Sequence, residues 1–162
     1  MAANRPSVVQ DRAIFNFALL LEYLKSSFYA DALAHAGLTG ELHDFAEVAG
    51  AHEREHVQAI KKALGSHARP EPRFRFGRAS RDPKRFQSTA VALEDLAVAA
   101  YNAQAANLTK DALAAAIKIV SVEARHAAWI RSIAGEEPAP TAADPGKDVA
   151  AVTSQLKKLN IR

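Results

Sequence analysis

Apolar and special residues recur along the chain in alternating steps of four and three. From about Val8 to Ala36, Phe15, Leu19, Glu22, Ser26, Tyr29 and Leu33 fall on one line, the stripe of a bundle helix. "HAGLTG" ends that segment, with Gly37 as the C-terminal cap candidate and Thr39 as the next N-cap. A second segment, about Gly40 to Leu64, puts Leu42, Phe45, Ala49, Glu53, His56, Ile60 and Ala63 on one face, and Gly65 stops it. A third begins with Asp82 as N-cap and Pro83 in the first helical position. It runs to about Asn107, with Val91, Glu94, Val98, Tyr101, Ala105 and Leu108 as its stripe. A break near "NLTKD" opens the fourth, which carries Ile119, Glu123, His126, Ile130 and Ile133 and ends at Gly135.

Between the second and third segments, residues 65 to 82 hold two prolines, two glycines and no helical period. About eighteen residues are too many for a tight hairpin. Period-two alternation occurs only briefly, in "RFRFGR". The pattern predicts an all-α fold: hairpin, long crossover, hairpin, that is, an antiparallel four-helix bundle with one long crossover. The bundle core spans 8–135, a proline-rich linker 136–146 and a short C-terminal fifth helix 147–160, with Val149, Val152, Leu156 and Leu159 at helical spacing. At 162 residues, 1–162 reads as one domain.

Composition narrows the chemistry. Cysteine is absent, which excludes disulfides, thiolate metal sites and cysteine nucleophiles. The net charge is a mild +3. No apolar run approaches the ~20 residues that span a bilayer, so no membrane partner is expected. "MAANRPSVVQ" carries no signal-peptide core. The expectation is a cytoplasmic protein, with a periplasmic or exported one the alternative if Met1 stands in for a removed leader.

The two halves of the chain repeat. "LEYLKSSFY" (21 to 29) aligns with "LEDLAVAAY" (93 to 101) at leucine, glutamate, leucine and tyrosine. "EREHVQAIKKALG" (53 to 65) aligns with "EARHAAWIRSIAG" (123 to 135) at glutamate, histidine, isoleucine and glycine. Each half is therefore a helix with a lone glutamate followed by a helix with E-x-x-H. A glutamate and a histidine three apart lie about 60° apart around a helix and can point at one spot. Glu22, Glu53, His56, Glu94, Glu123 and His126 would thus send four carboxylates and two imidazoles into the bundle interior. Buried charge on that scale is untenable unless protonated, paired or bound to cations. Two Fe ions would relieve it, with Glu53 and Glu123 bridging, each histidine on one ion, and Glu22 and Glu94 terminal. Oxygen and imidazole donors also suit Mn, and Zn adventitiously.

The segments "LEYL", "EREH", "LEDLAVAAY" and "VEARH" resemble the ferritin-like superfamily, in the branch of small ferritin-like domains related to desiccation-associated proteins. The resemblance covers about residues 10 to 135. It implies a ferritin-like bundle and a non-haem di-iron site. Iron-storage ferritins, peroxide-reducing rubrerythrins, bacterioferritins and oxidases share that site. The implied activity is a ferroxidase or peroxidase-type oxidoreductase that takes O2 or peroxide as oxidant. The alternative is a non-enzymatic stress or desiccation-related protein with a weak or vestigial metal site. The lack of cysteine removes a rubredoxin-type iron centre. Ala97, one turn beyond Glu94, stands where the extra switching glutamate of rubrerythrins would be expected.

Other readings compete at particular residues. His52 makes H-E-x-x-H with Glu53 and His56, a zinc-peptidase signature, but Ala59 and Lys62 replace the glycine and histidine that a metzincin helix would carry. His52, about 100° from Glu53 around the helix, is then a flanking or outer residue. Tyr29 and Tyr101 share the stripes of Glu22 and Glu94. They read as core aromatics hydrogen-bonded to a buried carboxylate, with an outer-donor or electron-relay role the alternative. Arg69, Arg73, Arg75, Arg78, Arg81, Lys84 and Arg85 interleave with Phe74 and Phe76 in the crossover. Such a pattern can bind nucleic acid, but the favoured reading has phenylalanines pinning the crossover while arginines face water. The apolar side of the tail helix needs cover from its own bundle or from a homodimer partner.

Overall fold

The computed structural model of the chain describes residues 5–159 and 161. Its helices are α1 (Val8–His35), α2 (Gly40–Leu64), α3 (Pro83–Gln104), α4 (Lys110–Ile133) and α5 (Val149–Lys158). Among the described residues there is no β-strand. The order is hairpin, crossover, hairpin and tail, as the pattern predicts. No described helix is long and apolar enough to cross a membrane.

The helix ends follow local chemistry. Ser7 Oγ accepts the Gln10 N–H, and the Asp82 carboxylate accepts the Arg85 N–H ahead of Pro83. Thr39 stands at the start of α2, but its hydroxyl makes no capping hydrogen bond. Ala36 closes α1, and Gly37 behind it takes the left-handed conformation at φ 62° that turns the chain. The last turn of the third segment tightens into a 3-10 turn at Ala105–Asn107, so α3 itself stops at Gln104. The tail helix starts two residues later than expected, because Asp148 caps it by accepting the Ala151 N–H at 2.8 Å. Position 160, its expected last residue, lies outside the described residues, as do positions 1–4. Asp11 of α1 reaches across to α4, where its carboxylate accepts from both the N–H and the hydroxyl of Thr109. One acidic side chain thereby serves the free donors at the start of another helix.

Two apolar clusters hold the bundle, one at each end. Phe28, Phe45, Phe86, Leu93 and Ile130 make one, and Phe15, Leu19, Val57, Ile60 and Ile119 make the other. Fully burying side chains of this size contributes ~1.5–3 kcal/mol each. The polar residues of the E and E-x-x-H positions lie between the two clusters in the order of every helix. Phe76 of the crossover is buried with its ring 5.4 Å from Phe28, and Phe74 packs beside it. Arg69, Arg73, Arg75, Arg78, Arg81, Lys84 and Arg85 are all exposed. Arg73, Arg75 and Arg81 line a groove that also contains Asp31 and Glu71, a surface of mixed charge.

The tail folds back over α1 and α3. Val152 is fully buried with Leu21, Leu96 and Ala100, and Leu156 packs alongside. Lys147 N–H donates to the Ala99 carbonyl at 2.9 Å, and Gly146 passes so near Ala103 that a Cβ would come within 2.9 Å of its Cα. The apolar side of α5 is therefore covered within the chain at Val152 and in part at Leu156 and Leu159, while Val149 is exposed. The tail covers Leu21, the crossover takes the Tyr23 hydroxyl through the Arg69 carbonyl, and α1 is buried at its middle from Leu21 through Lys25.

Candidate metal centre

Each of the four bundle helices supplies its expected polar residue to one central layer. Glu22, Glu53, Glu94 and Glu123 are fully buried, and His56 and His126 are nearly so. Their donor atoms form two overlapping groups. One comprises Glu22, Glu53, His56 and Glu123, the other Glu53, Glu94, Glu123 and His126, with the donor atoms of each group within 4.8 Å of one another. Glu53 and Glu123 belong to both. His56 Nδ1 lies 3.0 Å from Glu123 and 3.3 Å from Glu53. His126 Nδ1 lies 3.3 Å from Glu53 and 3.6 Å from Glu94.

The tyrosines complete the layer reciprocally. Tyr101 Oη of α3 donates to Glu22 of α1 at 2.7 Å, and Tyr29 Oη of α1 donates to Glu94 of α3. Each phenol thus orients the lone glutamate of the other half. Burial and the neighbouring carboxylate push both phenol pKa values well above the ordinary range, so the hydroxyls stay protonated donors.

Sequence reasoning missed Lys25. The helical stripe placed Ser26 on the inner face, whereas Lys25 is the residue that is fully buried. Its Nζ donates to Glu53 at 2.9 Å and to Glu123, and lies 3.3 Å from Glu22 and 3.5 Å from Glu94. The available signal was the spacing itself, because Glu22 and Lys25 repeat the i, i+3 relation of the two E-x-x-H motifs. Burial opposes the ammonium charge, but Glu123, Glu22, Glu53 and Glu94 outweigh it and raise the Lys25 pKa well above normal.

The same layer sorts the remaining charges. Burial disfavours ionised Glu22 and Glu94, yet Lys25 and the histidines hold both low, Glu94 at about 2. Burial and mutual repulsion raise Glu53 and Glu123 against the pull of Lys25. Burial also disfavours charge on the histidines, but the surrounding carboxylates lift His56 to about 12 and His126 to about 9. Excess negative charge is thus met by protons and one ammonium.

A family model for the ferritin-like domain matches residues 10–136. The chain belongs to this family. No curated protein matches it.

The donor set of this ferritin-like domain suits a pair of divalent ions by chemistry and by placement. Oxygen and imidazole donors surround both positions, and Glu22 Oε2, Glu123 Oε1 and His126 Nδ1 are buried without a hydrogen-bond partner. Against that fit stands one occupant, the Lys25 ammonium.

Access runs between α2 and α4. Val48, His52, Glu55, His56, Val122, Arg125, His126 and Trp129 line a cleft of about 430 Å³ there. His56 and His126 border both the cleft and the polar layer. His52 lies in the cleft wall, and its ring stacks on His126 at 5.2 Å, with Nδ1 hydrogen-bonded to His126 Nε2 at 2.9 Å. It belongs to neither donor group, so the H-E-x-x-H pairing of His52 with His56 has no counterpart in the geometry. The outer nitrogen of His126 is instead fixed by a residue of the other half.

Proposed function

We propose that the buried layer of this ferritin-like domain is a di-metal carboxylate centre, with iron as its natural metal and oxidation of Fe2+ by O2 or peroxide as its reaction. The observation that carries the reading is the pair of overlapping donor groups sharing Glu53 and Glu123. Glu53 and Glu123 would bridge, Glu22 with His56 would complete one position, and Glu94 with His126 the other. Four carboxylates against two divalent ions leave the centre formally neutral. Bound iron would supply the redox step.

The protein's own contribution is geometric and electrostatic. Tyr101 and Tyr29 fix the carboxylates of Glu22 and Glu94 through the hydrogen bonds described above. His52 holds the ring of His126 by its outer nitrogen, the usual means of orienting an imidazole donor. The two apolar clusters exclude water from above and below, and the α2–α4 cleft admits small solutes past the histidines. Loading requires protons to leave the histidines and Glu123, so metal affinity falls as pH falls.

The test is anaerobic Fe2+ titration with elemental analysis of the native chain, Glu53→Ala and Glu123→Ala. Two equivalents in the native chain, lost in both variants, support the reading. Trace binding that neither substitution alters removes it.

A second reading is favoured by Lys25. A ferritin-like stress or desiccation-related protein could keep the fold with a weak or vestigial metal site, its carboxylates neutralised by the ammonium. An Fe2+-loaded protein that stays colourless in air would favour that alternative.

A further inference from the structure

We infer that Lys25 is the resident cation of the carboxylate layer, holding the Glu53–Glu123 pair in the metal-free protein and competing with metal for it. The inference rests on the metal-binding reading above and adds what a metal must displace. Among the four carboxylates around Nζ, its closest partners are Glu53, at 2.9 Å, and Glu123. Those two are the residues common to both donor groups. An ammonium on the shared oxygens and a pair of divalent ions on the same oxygens are like charges within a few ångströms in a dry interior, and they repel strongly. One occupant therefore excludes the other.

The rest of the chain treats the lysine as a substitute for metal. A lysine is almost never fully buried without a partner, and an apolar side chain would fill the same space without a desolvation cost. Four glutamates supply the reason for this one. Its counterpart in the second half is Ala97, buried and uncharged, so the layer carries one lysine ammonium, supplied by one half alone. Metal on the shared oxygens would require the ammonium to leave them, a movement for which the lysine has a flexible four-carbon stem. The expected consequence is a protein that folds without metal and binds metal more weakly than its donor set alone would.

The experiment compares the full chain with Lys25→Met, both stripped by chelator and then titrated with Mn2+ in a calorimeter, with melting curves taken before and after. Lys25→Met is expected to bind Mn2+ at least ~10-fold more tightly and to melt roughly 5–10 °C lower when metal-free. Saturating Mn2+ is expected to raise its melting temperature more than that of the native chain. Lys25→Gln, which keeps a donor but no charge, should behave like Lys25→Met. Variants that fold only when refolded with Mn2+ also support the inference, since the metal then takes the place of the ammonium. Variants that fold neither with nor without Mn2+ contradict it. Equal, tight Mn2+ binding by native chain and variants overturns the inference and leaves the metal centre standing. No binding by any of them removes the metal centre, and the inference with it.

Discussion

The α1–α2 half and the α3–α4 half present the same glutamate, tyrosine and E-x-x-H positions, and they cross-link each other through them. Tyr29 serves Glu94 and Tyr101 serves Glu22. His56 reaches Glu123 and His126 reaches Glu53. The layer departs from this symmetry at two places, both in the first half. Lys25 stands where the second half has Ala97, and His52 where it has Val122. The shared positions build a cage, whereas the unshared ones set its charge and steady one of its imidazoles. A duplicated helical hairpin thus becomes a tuned site by changing residues around a preserved set.

Moving the asymmetry is the strongest way to break this comparison. In the metal-free protein, Lys25→Ala should cost about 3–5 kcal/mol in chemical denaturation, the usual result of stripping one partner from a buried ionic group. Adding Ala97→Lys to that variant should recover more than half of the loss if the halves are equivalent around the cage. No recovery would mean that the cage itself is asymmetric.

Removing a shared element should affect both halves alike. Tyr29→Phe and Tyr101→Phe each leave a buried carboxylate oxygen short of a donor, at about 1–3 kcal/mol. Their denaturation midpoints should nearly coincide.

The histidines sharpen the contrast through pH. Both have folded pKa values raised above the ordinary imidazole value of 6.5, to about 12 for His56 and about 9 for His126. A raised pKa gives stability that is fully present below 6.5 and lost as pH rises toward the folded value. Between pH 6.5 and 9 the metal-free protein should therefore lose about 2–3 kcal/mol through His126, and a comparable amount through His56. In a pH series of melts His126→Gln and His56→Gln should each flatten the slope between pH 6.5 and 9, and only His56→Gln should remove the part that continues above pH 9.

The smallest effect belongs to His52. His52→Val, which copies Val122, removes one hydrogen bond at about 0.5–1.5 kcal/mol. It should lower the His126 pKa seen by NMR, because the outer N–H of the imidazolium loses its acceptor.

Much of this was legible in sequence because its causes are periodic. The stripes through Phe15, Phe45, Val91 and Ile119 specify helices, and Asp82–Pro83 specifies a helix start. The internal repeat singled out six buried residues that the structure brings into one layer. Lys25 was legible only through its spacing from Glu22, because a helical stripe sends lysine to solvent and the facing carboxylates of three other helices are what make its burial possible. The His52–His126 contact was not legible, since it joins residues 74 apart on different helices. The cover over α5 was equally hidden, since Val152 meets Leu21 and Leu96 through tertiary packing that no local pattern encodes.

The central claim is that Glu53 and Glu123 are shared by two metal ions once Lys25 gives way. Anomalous scattering from crystals of the native chain grown anaerobically with saturating Fe2+ tests it directly. Two iron peaks are expected, one among Glu22, Glu53, His56 and Glu123, the other among Glu53, Glu94, Glu123 and His126, with the Lys25 ammonium withdrawn from both glutamates. A map without iron at either position, and with Lys25 still seated on Glu53 and Glu123, would contradict it.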